Sequence, residues 1–162
     1  MTTDARQPEN VRRAESSVTR RTVLALVAAW GLPGMGHIFL GRTRRGLLFS
    51  FLILSSFALG LFHDGRLALR DARQPYLSTL QVLANVGVGP VDFLARWIVY
   101  GEPAYGLPRD EAYPDYAERI KILRDRSRSS LSIYGTAYLW TAGLMNLMLL
   151  FEVWDIGMGR RA

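Results

Sequence analysis

The chain has 162 residues, the size of one domain, and 49% of them are hydrophobic against 21% charged. Its net charge of +6 rests on 20 Lys and Arg against 14 Asp and Glu, and it has no cysteine and only two histidines. Disulfides, thiolate nucleophiles and Cys- or His-built metal centres are thereby excluded. The apolar residues are gathered into blocks with the charges between them, which excludes a disordered chain and argues for a membrane protein with cationic loops.

Residues 1–21 are polar and carry Arg6, Arg12, Arg13, Arg20 and Arg21, so a disordered basic tail is expected. Thr19 to Leu24 looks like a twin-arginine export signal, and Val27-Ala28-Ala29 would suit a small-residue cleavage rule. The apolar run before that point, Thr22 to Ala29, is short, and apolar character continues through Leu40. An uncleaved membrane anchor preceded by cytoplasmic arginines is the expectation.

Thr22 to Gly41 is a first uncharged block of 20 residues, and Gly46 to Phe62 a second of 17, separated by the basic Arg42 to Arg45. A span needs about 20 residues, so residues 22–62 read as a tight helical hairpin. Gly31, Gly34, Gly36 and Gly41 are too many glycines for a helix touching only lipid. Ala25, Ala29, Pro33, His37 and Gly41 also fall at i+4 spacing, a face suited to close helix approach. Ala25, Ala29, Gly34 and Gly41 are the expected contacts with the second helix. His37 lies four residues before the Gly41-Arg42 turn and is expected to close it through a hydrogen bond to a carbonyl or an Asp.

Residues 63–75 form a polar linker. Tyr76 to Tyr100 is apolar but carries Gln81, Asn85, Asp92 and Arg96 within one narrow helical stripe, and Gly87-Val88-Gly89-Pro90 in its middle predicts a kink or break. Asp92 and Arg96 form an i,i+4 pair, and Arg96 could also reach Glu152 of the last helix. Residues 101–130 are polar. Pro103, Pro108 and Pro114 punctuate them, and Asp115 to Arg128 reads as an amphipathic helix. Arg119, Lys121, Arg124, Arg126 and Arg128 make it a surface for anionic headgroups or, on the plainer reading, a solvated loop helix.

Residues 131–156 form a long last span, followed by the short tail 157–162. Tyr134, Tyr138, Thr141, Met145, Met148, Glu152 and Asp155 step by four and three, a heptad seam expected to face protein or an interface, with Glu152 and Asp155 in reach of headgroups; Asn146 lies on the opposite face and needs its own partner.

The run Trp30-Gly31-Leu32-Pro33-Gly34-Met35-Gly36-His37-Ile38-Phe39-Leu40-Gly41-Arg42, followed by Arg44-Arg45-Gly46, resembles the first helix and turn of the two-transmembrane-helix (TM-two) domain family. That likeness covers residues 22 to about 62 and implies a two-helix hairpin; Pro33 with Gly34 departs from the standard pattern. Tyr134-Gly135-Thr136, Trp140 to Asn146, Asp155-Ile156 and Gly159 resemble the end of small bacterial membrane proteins classed only as a domain of unknown function. The resemblance implies architecture and no enzymatic activity.

The expected protein is thus an all-α integral membrane protein of three to four spans, a hairpin plus one broken or interfacial segment and a long C-terminal helix, in a bacterial inner membrane. No catalytic residue, cofactor, metal or nucleic-acid partner is expected, since no base-stacking aromatic motif accompanies the arginines. A three-span threading, with the N-terminus inside, puts 15 positive residues inside and 5 outside, and so the C-terminus outside; a re-entrant first block with three later spans gives the same partition, and the hairpin likeness favours the first. A structural or interaction role is favoured; a transporter subunit, or an enzyme using His37, Glu152 and Asp155, are the rivals.

Overall fold

The computed structural model describes residues 9–107 and 114–160; Arg6, Pro108 and the chain's last two residues, on which some expectations rest, lie outside them. The described residues form seven helices: α1 (Glu9–Gly31), α2 (Met35–Phe39), α3 (Thr43–Phe62), α4 (Pro75–Val86), α5 (Pro90–Tyr100), α6 (Pro114–Ser127) and α7 (Ser132–Gly157). They contain no strand, only an isolated parallel bridge between Arg70 and Gly106. The protein is an all-α membrane protein: α3 and α7 are long and apolar enough to cross a bilayer, and α4 with α5 forms a bent pair of the same overall length.

The basic tail is helical from Glu9. No Gly or Pro interrupts Glu9 to Trp30, so the helix of the apolar half propagates backward through the arginines.

The first apolar block is not a straight span. α1 ends at Gly31, Gly34 takes a left-handed φ of 85°, and the short α2 runs back along α1. A Cβ at Gly36 would meet Ala29 Cβ at 2.7 Å and the Ala25 carbonyl at 2.8 Å. Arg21 Nη2 also reaches the Phe39 carbonyl at 3.5 Å. The block therefore enters about 15 Å, ten residues of α1 at 1.5 Å each, and returns to the end it came from. Pro33 and Gly34 cause this by stopping the helix half-way.

The expected hairpin packing is revised accordingly. Ala25 and Ala29 face α2 and Val153 of α7, not the second helix. Gly34 does lie under α3, against Gly46 and Ser50, and Ser50 Oγ donates to the Pro33 carbonyl. A Cβ at Gly41 would meet nothing within 4 Å; its role is the positive φ of 82° that the turn into α3 requires. Gly31 is likewise open.

The second broken block mirrors the first from the other end. α4 and α5 meet at a bend of 110° across Gly87 to Gly89. α4 starts beside Asp71, which Ser78 binds, and α5 ends where Tyr100 Oη donates to the Leu67 carbonyl at 2.8 Å. Both ends thus return to the linker that follows α3.

α7 is the hub, packing against α1, α3 and α4. Its buried face is Ser132, Gly135, Thr136, Leu139, Ala142, Gly143, Asn146, Leu149 and Val153. The predicted seam is the other face: Tyr134, Tyr138, Thr141 and Met148 are exposed. Met145, packed on the core, and Glu152, beside His37, do face protein; elsewhere the helices approach through small residues, of which the seam has only Thr141. Ile53 and Phe57 of α3 join Leu139, Ala142 and Leu149 in the main core.

The ends of the bundle follow. Gly157 lies against Thr22, so the C-terminal end of α7 is at the same end as Arg21 and the Arg42–Arg45 turn. α6 is at the other end, where Arg126 donates to the Gly65 carbonyl and Ser132 to the Asp64 carbonyl. This differs from the arrangement that the three-span threading implied: the two ends of the helical region lie together, and α6 lies opposite them. Both broken blocks return to their own end of the bundle.

A substitution series tests the close approaches. Gly143→Ala places a Cβ on the Ala84 carbonyl, whereas Gly31→Ala meets nothing within 4 Å. Gly143→Ala should lose most of the folded yield in detergent, and Gly31→Ala should match the parent, by size-exclusion profile and thermal midpoint; equal yields would refute the packing described.

Candidate functional site

Three buried polar clusters lie along the bundle axis. At mid-depth the tips of the two broken blocks meet. Gly89, with φ of 85°, sits against the Trp30 carbonyl, and Gly87 against the Gly143 carbonyl. Helix ends leave carbonyls without intrahelical donors, and lipid offers none. Asn146 supplies the donor: its fully buried Nδ2 reaches the Gly87 carbonyl at 2.9 Å and the Ala29 carbonyl at 3.4 Å. The partner that Asn146 was expected to need is thus the backbone of both broken segments at once.

At the Gly65 end, Asp92 and Arg96 are both fully buried and pair through Nε and Oδ2 at 2.7 Å. Arg96 Nη1 also donates to the carbonyls of Ala68 at 2.8 Å and Ala104 at 2.7 Å, and its guanidinium lies 4.3 Å from the Tyr105 ring centroid. Asn85 Oδ1 accepts from the Ala68 amide at 3.1 Å. Together these tie α4, α5, residues 67–69 and the 102–107 loop into one cap. Burial, and then the Asp92 carboxylate, push the Tyr105 phenol above its ordinary pKa, so it stays protonated. The predicted pairing of Arg96 with Glu152 does not form, because the two lie at opposite ends. The stripe is also broken at Gly87, and Gln81 is half-buried beside a separate cavity of about 270 Å³ with Arg66, Asp71 and Trp140.

At the Arg42 end, His37 is fully buried and its Nε2 lies 3.4 Å from Glu152 Oε2, a side chain 26% exposed. The Phe49 ring packs on it at 5.4 Å between centroids. His37 thus joins α2 to α7, not to the turn as expected. Asp155 faces Arg160 at 3.8 Å. No group of three or more His, Cys, Asp or Glu suited to a metal ion occurs among the described residues.

On α6, Arg119 and Arg126 turn inward: Arg119 to Glu102 and the Gly106 carbonyl, Arg126 to the Gly65 carbonyl. Lys121, Arg124 and Arg128 stay exposed. Sequence reasoning missed Gly143, Gly65, Ser50, Tyr100 and Tyr105. Gly143 was legible as part of a small-residue face of α7 with Gly135 and Ala142, whereas Gly65 lies in the linker; Tyr100 and Tyr105 carried no periodic signal, since the chain between them is irregular.

Two replacements measure the buried groups. Arg96→Leu leaves Asp92 buried and unpaired, a loss of about 3–5 kcal/mol. Asn146→Leu strands two carbonyls at about 1–3 kcal/mol each at most. Thermal melts in detergent should place Arg96→Leu and Asn146→Leu both well below the exposed Thr141→Leu, which stays near the parent; a melt of Asn146→Leu equal to Thr141→Leu would remove Asn146 from the joint.

Neither a curated protein nor a solved structure matches the chain. One family model does, over residues 24–162, from the end of the arginine tail through α7, and it is described only as a family of unknown function. That match covers both broken blocks and both spans, and by it the chain belongs to the Family of unknown function (DUF6677).

Proposed function

We propose that this is a multi-pass protein of a bacterial inner membrane with a structural or interaction role and no catalysis of its own. The observation that carries the reading is how the buried polar side chains are spent. Arg96 is engaged by Asp92 and two carbonyls, Asn146 by two carbonyls, and His37 by Glu152. Groups serving a substrate would keep donors or acceptors turned to a cavity; each of these side chains holds segments together through at least one contact, while Arg96 Nη2, Asp92 Oδ1, Asn146 Oδ1 and His37 Nδ1 have no hydrogen-bond partner among the described residues.

The N-terminus is assigned to the cytoplasm. Arg42, Arg44 and Arg45 have no internal acceptor among the described residues, whereas Arg96, Arg119 and Arg126 of the other end are engaged within the protein. The positive-inside rule counts cations whether or not they are paired, and the two ends carry similar numbers, so the assignment rests on the crowding of Arg20, Arg21, Arg42, Arg44 and Arg45 at one end. On the opposite face Lys121 and Arg124, and the exposed Arg128 that pairs with Asp125 at 3.4 Å, are in reach of anionic headgroups or an acidic partner. The likeness to a TM-two hairpin extends, within this reading, to the turn motif Gly41 to Gly46 and not to a pair of full spans.

A transporter subunit is the second reading, favoured by one observation: two broken helices meet at mid-depth, as substrate sites in transporters do. Against it, backbone touches backbone at Gly143 with Ala84 and at Gly89 with Trp30, which fills the meeting point.

The test is reconstitution. Proteoliposomes should show proton, potassium and water permeability equal to protein-free vesicles, and a photo-crosslinker at Lys121 in cells should give a discrete protein adduct. A leak that Asn146→Leu abolishes would favour the transporter.

A further inference from the structure

We propose that the Gly41–Arg45 turn is a headgroup site for an anionic phospholipid, whose phosphate is held by the guanidinium groups of Arg42, Arg44 and Arg45 at the N-terminus of α3. This rests on the membrane reading above and names the ligand of one surface that it leaves free.

The turn borders a shallow, open concavity of about 530 Å³ lined by Gly41, Arg42, Thr43, Arg44 and Arg45. Three cations within four residues repel one another, and an adjacent apolar surface weakens solvent screening of that repulsion. No carboxylate among the described residues pairs with any of them; at this end Glu152 is engaged by His37 and Asp155 by Arg160. The arrangement is therefore short of negative charge by construction.

The same space is bounded by a helix start. No side chain caps the N-terminus of α3, a helix of 20 residues. Its first amide N–H groups are therefore open donors, and its dipole adds positive potential where the arginines already stand. Guanidinium forks match phosphate oxygens in pairs. Gly41 contributes no Cβ, so the approach to the turn is unobstructed.

The depth of the turn separates a lipid phosphate from a soluble one. Leu47, Leu48 and Phe51 are exposed on the next turns of α3. They lie about 3–10 Å below Arg44 and Arg45 at 1.5 Å per residue, the offset between a phosphate and its acyl chains. A free anion would use the arginines and leave this apolar strip idle; a phospholipid uses both.

The experiment uses the purified full chain in neutral detergent, titrated with phosphatidylglycerol, phosphatidylcholine or glycerol phosphate and read by native mass spectrometry and thermal midpoint. Phosphatidylglycerol should be retained and should raise the midpoint. Arg42→Gln/Arg44→Gln/Arg45→Gln should bind it at least about tenfold more weakly; the corresponding triple Lys variant should keep most of the affinity. An unchanged midpoint in phosphatidylcholine certifies that the Gln variant folds; should it not, Arg44→Gln alone, at an exposed position, should still weaken binding about threefold. Equal retention of phosphatidylcholine, equal affinity for glycerol phosphate, or loss in Lys121→Gln/Arg124→Gln/Arg128→Gln with none in the turn variants would each overturn the site. Release of the chain from membranes by carbonate would instead sink the membrane reading itself.

Discussion

An unpaired carbonyl has nowhere to go in lipid, and this fold creates such carbonyls at its centre by breaking two helices there. Asn146 answers for both. One carboxamide bridges the end of α1 and the end of α4, donors that water would otherwise supply at a surface. Everything around it is arranged to let that bridge form. Gly143 admits the α4 backbone beside α7, Gly89 admits the α1 tip, and Ala29 keeps the neighbouring wall low. A larger side chain at any of these places would separate the carbonyls from their donor before it did anything else.

The charged groups are then distributed to the two ends, with neither at the centre. Arg96 closes the cap at the Gly65 end by collecting a carboxylate and two carbonyls, so that its charge is fully buried yet compensated on several sides. His37 and Glu152 perform a lighter version at the Arg42 end, where Glu152 keeps contact with solvent. A buried ion pair is weak evidence of net stability and better evidence of specificity. Here the specificity is positional: Arg96 fixes how residues 67–69 and the 102–107 loop fold over α5, segments with almost no regular backbone pairing beyond the Arg70–Gly106 bridge.

The sequence made the blocks, the break at Gly87 to Pro90, the Asp92–Arg96 pair and the demand of Asn146 for a partner readable, because hydropathy, proline and buried polarity are local signals. Charge counting left a returning first block open beside the hairpin, and nothing in the sequence beyond the hairpin likeness decided between them. Twenty uncharged residues satisfy a length rule whether or not Pro33 and Gly34 stop the helix half-way, and length alone cannot tell a span from a loop that turns back. The face of α7 was misread for a related reason. A heptad of large and polar residues looks like a seam, but lipid rewards contact between backbones, and only Gly135, Ala142 and Gly143 permit it. The pairing of His37 with Glu152 joins residues more than a hundred positions apart and leaves no trace in spacing.

The separation of 117 residues between Asn146 and Ala29 has a consequence for how the chain is made. The first broken block emerges from the ribosome long before the helix that completes it. Until α7 is synthesised, the α1 tip has no Asn146 and the α4 bend has no Gly143 to lie on. Both half-inserted segments must then wait in the insertion machinery or at the interface, their carbonyls wet, and move to full depth only when the final span arrives. Assembly is thus gated by the C-terminal helix, and a ribosome that stops before Asn146 leaves behind an anchored chain with one crossing, α3, and two segments that have no reason to stay in the membrane.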